Sequence, residues 1–337
     1  MNTVMSRQRD QLAQALERVL RGVVKRDEPL APHTSLNVGG LAELWLEPLD
    51  LADLCAAIRI IGAHEASIFL IGNGTNCLVS DRGVRGVVIS LRRGFREVVI
   101  PGIKGSRDEI VTAGAGVSMP LLAAQVSKFG HSGCEWACGI PGSVGGAVVM
   151  NAGAHGGDTA GCLVDVELVS GAGEAGRVDV NGLGFRYRRS NLPETSAIVV
   201  SARFKFPPDD PAIIEGRLRE YRERRRATQP GATQSAGSVF KNPPGNSAGR
   251  LLESLGAKGM RVGGAVVSEK HANFIINAGG ATADDVRTLI SRLKKLAAEG
   301  AGVALETEVL QVGAWLPDEV DDGYSPLPSV PLVQRGD

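Results

Sequence analysis

The chain has 337 residues, of which 43% are hydrophobic and 22% charged, a composition typical of globular proteins with well-buried cores. Lys plus Arg equals Asp plus Glu at 37 each, so no net charge draws the molecule to nucleic acid or to an anionic membrane. No apolar run approaches the ~20 residues of a membrane-spanning helix, and the charged segment 1–26 lacks the apolar core of a signal peptide. We therefore expect a cytoplasmic protein that binds neither nucleic acid nor membrane.

The first part of the chain is predicted to open with a helix and to continue as short strands alternating with helices. Leucine and valine recur at helical spacing over 7–24, which predicts an amphipathic helix. Beyond Pro32 the predicted strands are 41–46, 66–70, 84–91, 109–113, 163–170 and 197–206, and the predicted helices are 51–61 and 119–129.

A basic segment separates this part from a second region of mixed helices and strands. Residues 217–228 contain six arginines, so we place a helix or linker and a domain boundary there. Beyond it, the pattern predicts helices over 248–255 and 282–298, the second capped by Thr282, and strands over 274–277 and 304–312. The proline-rich residues 314–337 show little periodicity and are predicted to be mobile.

The cysteines are too scattered to form a disulfide framework. The spacing of Cys134 and Cys138 is not completed by a second Cys or His cluster, so no metal site is expected. We predict buried free thiols at all five positions: Cys55, Cys77, Cys134, Cys138 and Cys162.

The segment 138–157 is rich in glycine but carries no charge. Seven of its twenty residues are glycine, and Ile, Val and Met lie between them. A flexible linker is usually more polar, and glycine allows another group to approach the main chain closely. The segment therefore predicts a backbone surface that holds a large ligand; tight packing of loops without a ligand is the alternative.

A second glycine-containing loop, 72–76, follows a predicted strand. Its backbone N–H groups could cradle a diphosphate, although a plain turn between strands is the alternative. The loop is neither a Walker loop nor a Rossmann fingerprint, because no G-K-[ST] follows it and no G-x-G-x-x-G opens a helix there. This argues against a kinase and against a Rossmann dehydrogenase.

Three polar motifs suggest catalysis. The segment 235–244 places a serine among small residues, ahead of a lysine, an amide and two prolines, with no G-x-S-x-G elbow. Such a serine is a poor nucleophile, but its hydroxyl can donate a proton to a carbanion or enol. Glu306 and Glu308 lie on a predicted strand, where alternation places both carboxylates on one face, either functional or merely solvated. The motif 187–190 could clamp a carboxylate or phosphate through an arginine, or could be surface charge.

Taken in order, these segments resemble the UDP-N-acetylenolpyruvoylglucosamine reductases, bacterial flavoenzymes of peptidoglycan precursor synthesis. The resemblance covers about 32–313, nearly all of the chain except its ends. The matching segments are 37–40 (NVGG), 72–76 (GNGTN), 113–116 (AGAG), 139–146 (GIPGSVGG), 150–154 (MNAGA), 187–190 (YRRS), 235–244, 267–274 (VSEKHANF) and 305–309 (LETEV).

The resemblance implies an α+β architecture with a vanillyl-alcohol-oxidase-type (PCMH-type) FAD-binding fold in two α/β lobes, followed by an α/β substrate domain. The implied parts are an N-terminal helix (1–31), the FAD-binding domain (32–210), a basic helix or linker (211–228), the C-terminal substrate-binding domain (229–313) and the tail (314–337). It also implies non-covalent FAD. The implied cofactor-binding residues are Gly72, Asn73, Gly74, Thr75 and Asn76 for the diphosphate, Gly139, Ile140, Pro141, Gly142, Ser143, Gly145 and Gly146 for the ring system, and Asn151 and Gly153.

The same resemblance implies the reaction. NADPH would reduce the FAD and leave, and UDP-N-acetylglucosamine enolpyruvate would then bind on the same face. Hydride would pass from flavin N5 to the vinyl carbon distal to the carboxylate, and the product would be UDP-N-acetylmuramate. Ser238 would protonate the enolate, while Arg188 and Glu308 would bind and polarise the carboxylate. Glu308 is chosen over Glu306 because the family's acid directly precedes the valine of this strand. Further implied substrate contacts are Asn242, Lys270 and His271, with Arg225 or Arg226 meeting the uridine diphosphate.

Some points depart from the family or stay open. His155 stands where the family often has tyrosine, and the compact 151–157 resembles the branch without an extra tyrosine-bearing loop. Another flavoenzyme of this fold, acting on a sugar or lactone, is one alternative, and a nucleotide-binding regulator without turnover is another. The presence of Ser238, Arg188 and Glu308 together argues against both. The oligomeric state is open, with a monomer favoured.

Overall fold

The structure, a computed structural model, describes residues 2–100, 110–231 and 234–315. Its helices are α1 (Asn2–Val19), α2 (Leu51–Ala63), α3 (Met119–Lys128), α4 (Val144–Met150), α5 (Pro211–Thr228), α6 (Ala248–Ser254) and α7 (Ala283–Ala301). Its strands are β1 (Val23–Pro29), β2 (Leu41–Glu47), β3 (Ile68–Ile71), β4 (Cys77–Val79), β5 (Val84–Ser90), β6 (Val98–Val99), β7 (Ile110–Gly114), β8 (Gly153–Ala154), β9 (Gly157–Asp158), β10 (Leu163–Val169), β11 (Ala175–Asp179), β12 (Ile198–Lys205), β13 (Ser235–Ser238), β14 (Arg261–Val262), β15 (Ala265–Val267), β16 (Phe274–Asn277) and β17 (Leu310–Val312).

The first lobe is a four-stranded sheet in the order β1-β2-β5-β3, in which β5 runs parallel to both of its neighbours. Val87 and Ile89 of β5 face the core shared with α1 and α2, whereas Val88 faces a separate cluster around Trp45. A parallel strand covered on both faces needs a nearly continuous apolar sequence, which explains why VRGVVIS is so apolar.

The N-terminal helix is shorter than predicted. The expected helix over 7–24 ends at Val19, and residues from Val23 form β1, antiparallel to β2. The carboxylate of Asp53 accepts hydrogen bonds from the backbone N–H groups of Arg21 and Gly22, at 2.9 and 2.8 Å. A Cβ on Gly22 would lie 2.1 Å from the carbonyl oxygen of Glu47, so only glycine allows this close crossing.

The second lobe is an antiparallel sheet in the order β11-β10-β12-β7-β6. Its inner face, with Val166 of β10, Ala202 of β12 and Val111 of β7, joins the same core as the first lobe. Helices α3 and α4 also contribute buried residues to this core, so the two lobes share one apolar interior. The mixed α and β content and the two lobes predicted from the sequence are therefore present.

The C-terminal lobe has its own core. Its antiparallel sheet has the order β13-β16-β15-β14, and α6 and α7 pack on it. Thr282 caps helix α7 as predicted: its side chain accepts from the backbone of Asp285, and the Asp285 side chain accepts from Thr282 N–H. This capping box satisfies two of the N–H groups that a helix start leaves unpaired.

Two links join the C-terminal lobe to the first lobe. Strand β17, near the end of the described chain, pairs in parallel with β4, with Leu310 opposite Cys77. Asp81 accepts from the N–H groups of Ala283 and Asp284, at 3.0 and 3.1 Å, and so caps α7 from the first lobe. These links fix the face of the C-terminal lobe that turns toward the loop 72–76.

The strand predicted over 304–312 is shorter, because the chain changes partners within it. Residues 306–308 run beside 239–241, with one bridge between Phe240 and Thr307, and β17 begins at Leu310 on a different strand. Ala314, in the tail predicted to be mobile, is held by hydrogen bonds to Ser80 and Gly83. The tail from residue 316 lies outside the described residues. No helix in the described part of the chain could cross a membrane.

Candidate active site

A large cavity lies where the three lobes meet. Its volume is about 1490 Å³, above the range of roughly 300–1,000 Å³ for a pocket that holds one drug-sized ligand. Residues from the first lobe, the glycine-rich segment, α5 and the C-terminal lobe all line it. The cavity therefore has room for a dinucleotide together with a second ligand.

Most of the predicted site residues line this cavity. Those that do are Ser238, Arg188, Glu308, Gly72, Asn73, Gly74, Thr75, Asn76, Ile140, Pro141, Gly142, Ser143, Gly145, Gly146, Gly153, Asn242, Lys270 and His271. Three predicted residues are not among the lining residues: Gly139, Asn151 and Arg226. The backbone carbonyl of Arg226 accepts from Lys270, while Arg224 and Arg225 of the same helix line the cavity.

The loop 72–76 offers unused hydrogen-bond donors to the cavity. None of its five backbone N–H groups donates to another group in the described part of the chain. The loop is held from behind, because Ser35 N–H donates to Gly74 O at 2.9 Å and a Cβ on Gly74 would lie 2.0 Å from the carbonyl oxygen of His33. Backbone donors left unpaired along a cavity wall are suited to binding an anion.

The glycine-rich segment is folded against this loop. Asn73 Nδ2 donates to Pro141 O at 2.8 Å, and Ser143 caps α4 by accepting from Gly146 N–H. A Cβ on Gly72 would lie 2.5 Å from the hydroxyl of Ser143, so these two walls touch. The prediction that this segment is a backbone surface beside a ligand agrees with its place in the cavity wall.

The glycines of this segment serve two purposes. Gly145 allows close packing, because a Cβ there would lie 3.0 Å from Ala115 Cβ, whereas a Cβ on Gly142 would meet no atom closer than 3.8 Å. Gly142 thus leaves space in the cavity that the protein does not fill. Together with the free N–H groups of 72–76, this open surface fits the diphosphate and broad ring system of the expected FAD.

The space beside Gly142 allows a test of this fit. We expect Gly142→Val to lower FAD affinity at least about tenfold, which corresponds to 1.4 kcal/mol, because the added methyl groups would occupy space that the cofactor needs. The measurement is titration of the flavin-free full-length protein with FAD, followed by flavin fluorescence. Gly176→Val is the matched control, since a Cβ at this position in β11 meets nothing within 4 Å and Gly176 does not line the cavity. Equal affinities of the two variants would contradict the fit.

Ser238 is aimed into the cavity by a bulge. The pairing of β13 with β16 shifts register between Ser235 and Ser238, and Gly237 has a φ of +75°, which favours glycine. Ser238 has no hydrogen-bond partner for its hydroxyl in the described part of the chain, so this group is available to a ligand.

Arg188 lies at the tip of a tight turn. Arg186 and Arg189 bond to each other's backbone, and Arg188 between them has a φ of +56°. Its guanidinium Nη2 donates to Gly153 O at 2.7 Å. Asn151, which sits outside the cavity wall, supports this turn because its Nδ2 donates to Arg186 O at 3.1 Å. The structure thus gives Asn151 a positioning contact to the arginine loop.

Glu306 and Glu308 lie in different surroundings. The Glu306 side chain is 72% exposed and pairs with Lys241, whereas that of Glu308 is 18% exposed. Glu308 Oε1 lies 3.0 Å from Arg188 Nε, but that N–H is not directed at the oxygen and is left without an acceptor. Burial raises the pKa of Glu308, with Arg188 and Lys241 acting in the opposite direction. Asn76 Nδ2 also donates to Glu308 O at 3.1 Å, linking this residue to the loop 72–76.

The other predicted contacts present donors to the cavity. His271 Nδ1 accepts from Asn273 N–H at 3.2 Å, and burial lowers the pKa of His271, so the neutral ring carries its proton on Nε2. Asn242 Oδ1 accepts from Ala248 N–H, which leaves the amide nitrogen of Asn242 for a ligand. Asn273 bonds to both N–H and carbonyl of Phe240, at 2.9 and 2.8 Å, and so positions the strand end after Ser238. The sequence motif contained Asn273, but nothing in it marked this role.

Helix α5 forms one wall and explains two further positions. Gly139 leaves room for Arg225, because a Cβ there would lie 2.7 Å from Arg225 Cδ. His155 stacks on Tyr221 of α5 with ring centroids 4.3 Å apart, so the position where the family often has tyrosine still carries a stacked ring. Burial, with Arg224 and Arg225 nearby, lowers the pKa of His155.

The cysteines form no bond with one another. All five are free; Cys55, Cys77 and Cys134 are buried, while Cys138 and Cys162 are only partly buried, so full burial was predicted correctly for three of them. Burial raises the pKa of Cys77 and of Cys162 to about 12, so neither thiol is reactive near neutral pH. Among the described residues, no three His, Cys, Asp or Glu side chains could together hold a metal ion.

Comparison with known proteins covers both halves of the site. Residues 229–312 match the family described as UDP-N-acetylenolpyruvoylglucosamine reductase, C-terminal domain, and residues 42–179 match an FAD binding domain. UDP-N-acetylenolpyruvoylglucosamine reductase 2 of Symbiobacterium thermophilum is 45% identical over 91% of this chain and 99% of its own length. The reductase of Anaeromyxobacter dehalogenans strain 2CP-C is 44% identical over 94% of this chain and 93% of its own.

A solved structure is similar over nearly the same range. The crystal structure of UDP-N-acetylenolpyruvylglucosamine reductase from Thermus caldophilus superposes with a TM-score of 0.72 at 36% identity, covering 87% of this chain and 99% of that one.

Proposed function

The chain belongs to the UDP-N-acetylenolpyruvoylglucosamine reductase family, and on this premise we propose that Ser238, Arg188 and Glu308 carry out its chemistry. The protein is an FAD-containing oxidoreductase that reduces UDP-N-acetylglucosamine enolpyruvate with NADPH in peptidoglycan synthesis. The vanillyl-alcohol-oxidase-type fold predicted from the sequence is confirmed.

Bound FAD, once reduced by NADPH, supplies the hydride that adds to the vinyl carbon distal to the substrate carboxylate. Arg188, which lines the cavity, would hold that carboxylate through its guanidinium. The negative charge that develops next to the carboxylate is stabilised by the same guanidinium. Glu308 lies beside the same guanidinium. The substrate carboxylate next to Glu308 would favour the protonated form of the Glu308 side chain. Ser238 then gives its hydroxyl proton to the carbon next to the carboxylate.

One observation carries this assignment: residues distant in sequence converge on one cavity. Arg188 of the second lobe lies 3.0 Å from Glu308, and Glu308 is bonded through its carbonyl to Asn76 of the loop 72–76. Ser238 opens onto the same cavity with a free hydroxyl. A sugar or lactone oxidase has no need of this acid, arginine and proton donor together.

We also propose how the substrate is held and where the enzyme works. Asn242, Lys270 and His271 supply hydrogen-bond donors for the nucleotide-sugar. Arg225 lines the cavity and can contribute to this binding, whereas Arg226 does not line it. We propose that the working unit is a monomer. The free cysteines favour a reducing compartment such as the cytoplasm. We retain the division at 32–210, 211–228 and 229–313 as a proposal.

The direct test is turnover by the full-length, FAD-loaded protein. Mixed with NADPH and UDP-N-acetylglucosamine enolpyruvate, it should consume NADPH at a rate that depends on the enolpyruvyl substrate and should form UDP-N-acetylmuramate. A free sugar or lactone in place of the substrate should give no reaction. A flavin-loaded sample without substrate-dependent NADPH loss would overturn the proposed function.

A further inference from the structure

Two residues that line the cavity each bury a polar atom without a hydrogen-bond partner. They are Arg188, through Nε, and Gln229, through Oε1. The other side chains in the described chain that bury such an atom do not line the cavity; they are Arg9, Trp45, Ser90, Ser127 and Trp315. A buried acceptor without a donor is unfavourable, so such an atom inside a ligand cavity points to a missing partner. The substrate carboxylate accounts for Arg188, but nothing so far accounts for Gln229.

The backbone holds Gln229 in a defined place. It caps the C-terminal end of α5 in extended conformation, with φ −119° and ψ 151°, and its N–H donates to Arg225 O at 2.9 Å. Lys270 donates to the carbonyl of Arg226 one turn earlier and so ties this helix end to the C-terminal lobe. Gln229 therefore lies at the joint between α5 and the lobe that carries Ser238.

We propose that Gln229 is a specificity residue that pairs through its carboxamide with a ligand edge carrying an N–H beside a carbonyl. A carboxamide offers one acceptor and two donors, so it complements such an edge in two bonds. Three ligands of the proposed function carry this chemistry: the flavin imide, the nicotinamide carboxamide and the uracil imide. The inference rests on that function, and the experiment separates the three sources.

Gln229→Leu removes the carboxamide and keeps the size of the side chain. In the full-length protein we measure three quantities: FAD affinity by titration of the flavin-free form, the rate of flavin reduction against NADPH concentration, and UDP affinity through the change in flavin fluorescence. One of the three should weaken by about tenfold, the factor that corresponds to 1.4 kcal/mol, and the other two should stay within about twofold. The weakened one identifies the ligand.

Gln234→Leu is the matched control. This glutamine lies in the same connection, is exposed and does not line the cavity, so all three quantities should equal those of the wild type. A Gln229→Leu protein that matches the wild type in all three, or that loses more than one of them, would overturn the proposal. None of the three measurements requires turnover of the enolpyruvyl substrate, so failure of the proposed function would be seen separately.

Discussion

Ser238→Ala should slow reoxidation of the reduced enzyme by UDP-N-acetylglucosamine enolpyruvate by roughly 10²–10⁴-fold, the usual contribution of a positioned general acid. Reduction of the enzyme by NADPH should be nearly unchanged, because that half-reaction needs no proton from this hydroxyl. The physical basis is the free Ser238 hydroxyl, which the bulge at Gly237 turns into the cavity. Anaerobic stopped-flow absorbance of the flavin measures the two half-reactions separately.

Ser235→Ala is the control for this experiment. Ser235 belongs to the same strand but does not line the cavity, so both half-reactions should keep their wild-type rates. If Ser238→Ala slowed both half-reactions equally, the hydroxyl would be shaping the cavity and not donating a proton.

The sequence predicted best those features that local patterns determine. The cap at Thr282 and the apolar run of β5 were readable because a few neighbouring residues decide them. The end of α1 was not, since Val23 fits a helical stripe as well as a strand. Asp53, some thirty residues away, takes up the N–H groups of Arg21 and Gly22, and only the fold shows this.

The same limit applies to the site. Motif order placed Ser238, Arg188 and Glu308 in one cavity, but the different exposures of Glu306 and Glu308 depend on what the fold packs around each side chain. Glu306 pairs with Lys241 at the surface, whereas Glu308 lies beside Arg188 and is mostly covered. Gln229 gave no signal at all, because an unpaired acceptor is a property of its surroundings and not of its neighbours in sequence.

Arg188→Met should lower kcat/KM for the enolpyruvyl substrate by about 10²–10³-fold, the loss found when one donor to a developing negative charge is removed. Methionine keeps the length of the side chain but can neither hold the carboxylate nor balance its charge. Arg189→Met is the control, because Arg189 pairs with Glu194 at the surface, where both side chains are 62% exposed. It should retain wild-type kinetics, since an exposed pair contributes little.

The pH dependence distinguishes loss of charge from loss of shape in the Arg188 variant. Burial raises the pKa of Glu308 above 4.5, and Arg188 is the foremost group that opposes this. Without Arg188 the pKa should rise further, so the limb of the kcat/KM profile that reports Glu308 should move to higher pH.

A raised pKa gives stability that is full below 4.5 and is lost as pH rises through the folded-state pKa. Arg188→Met should therefore lose more stability than Arg189→Met between acid and neutral pH in urea unfolding. If kcat/KM fell but the apparent pKa values of its pH profile stayed the same, Arg188 would act on the substrate without setting the charge of Glu308.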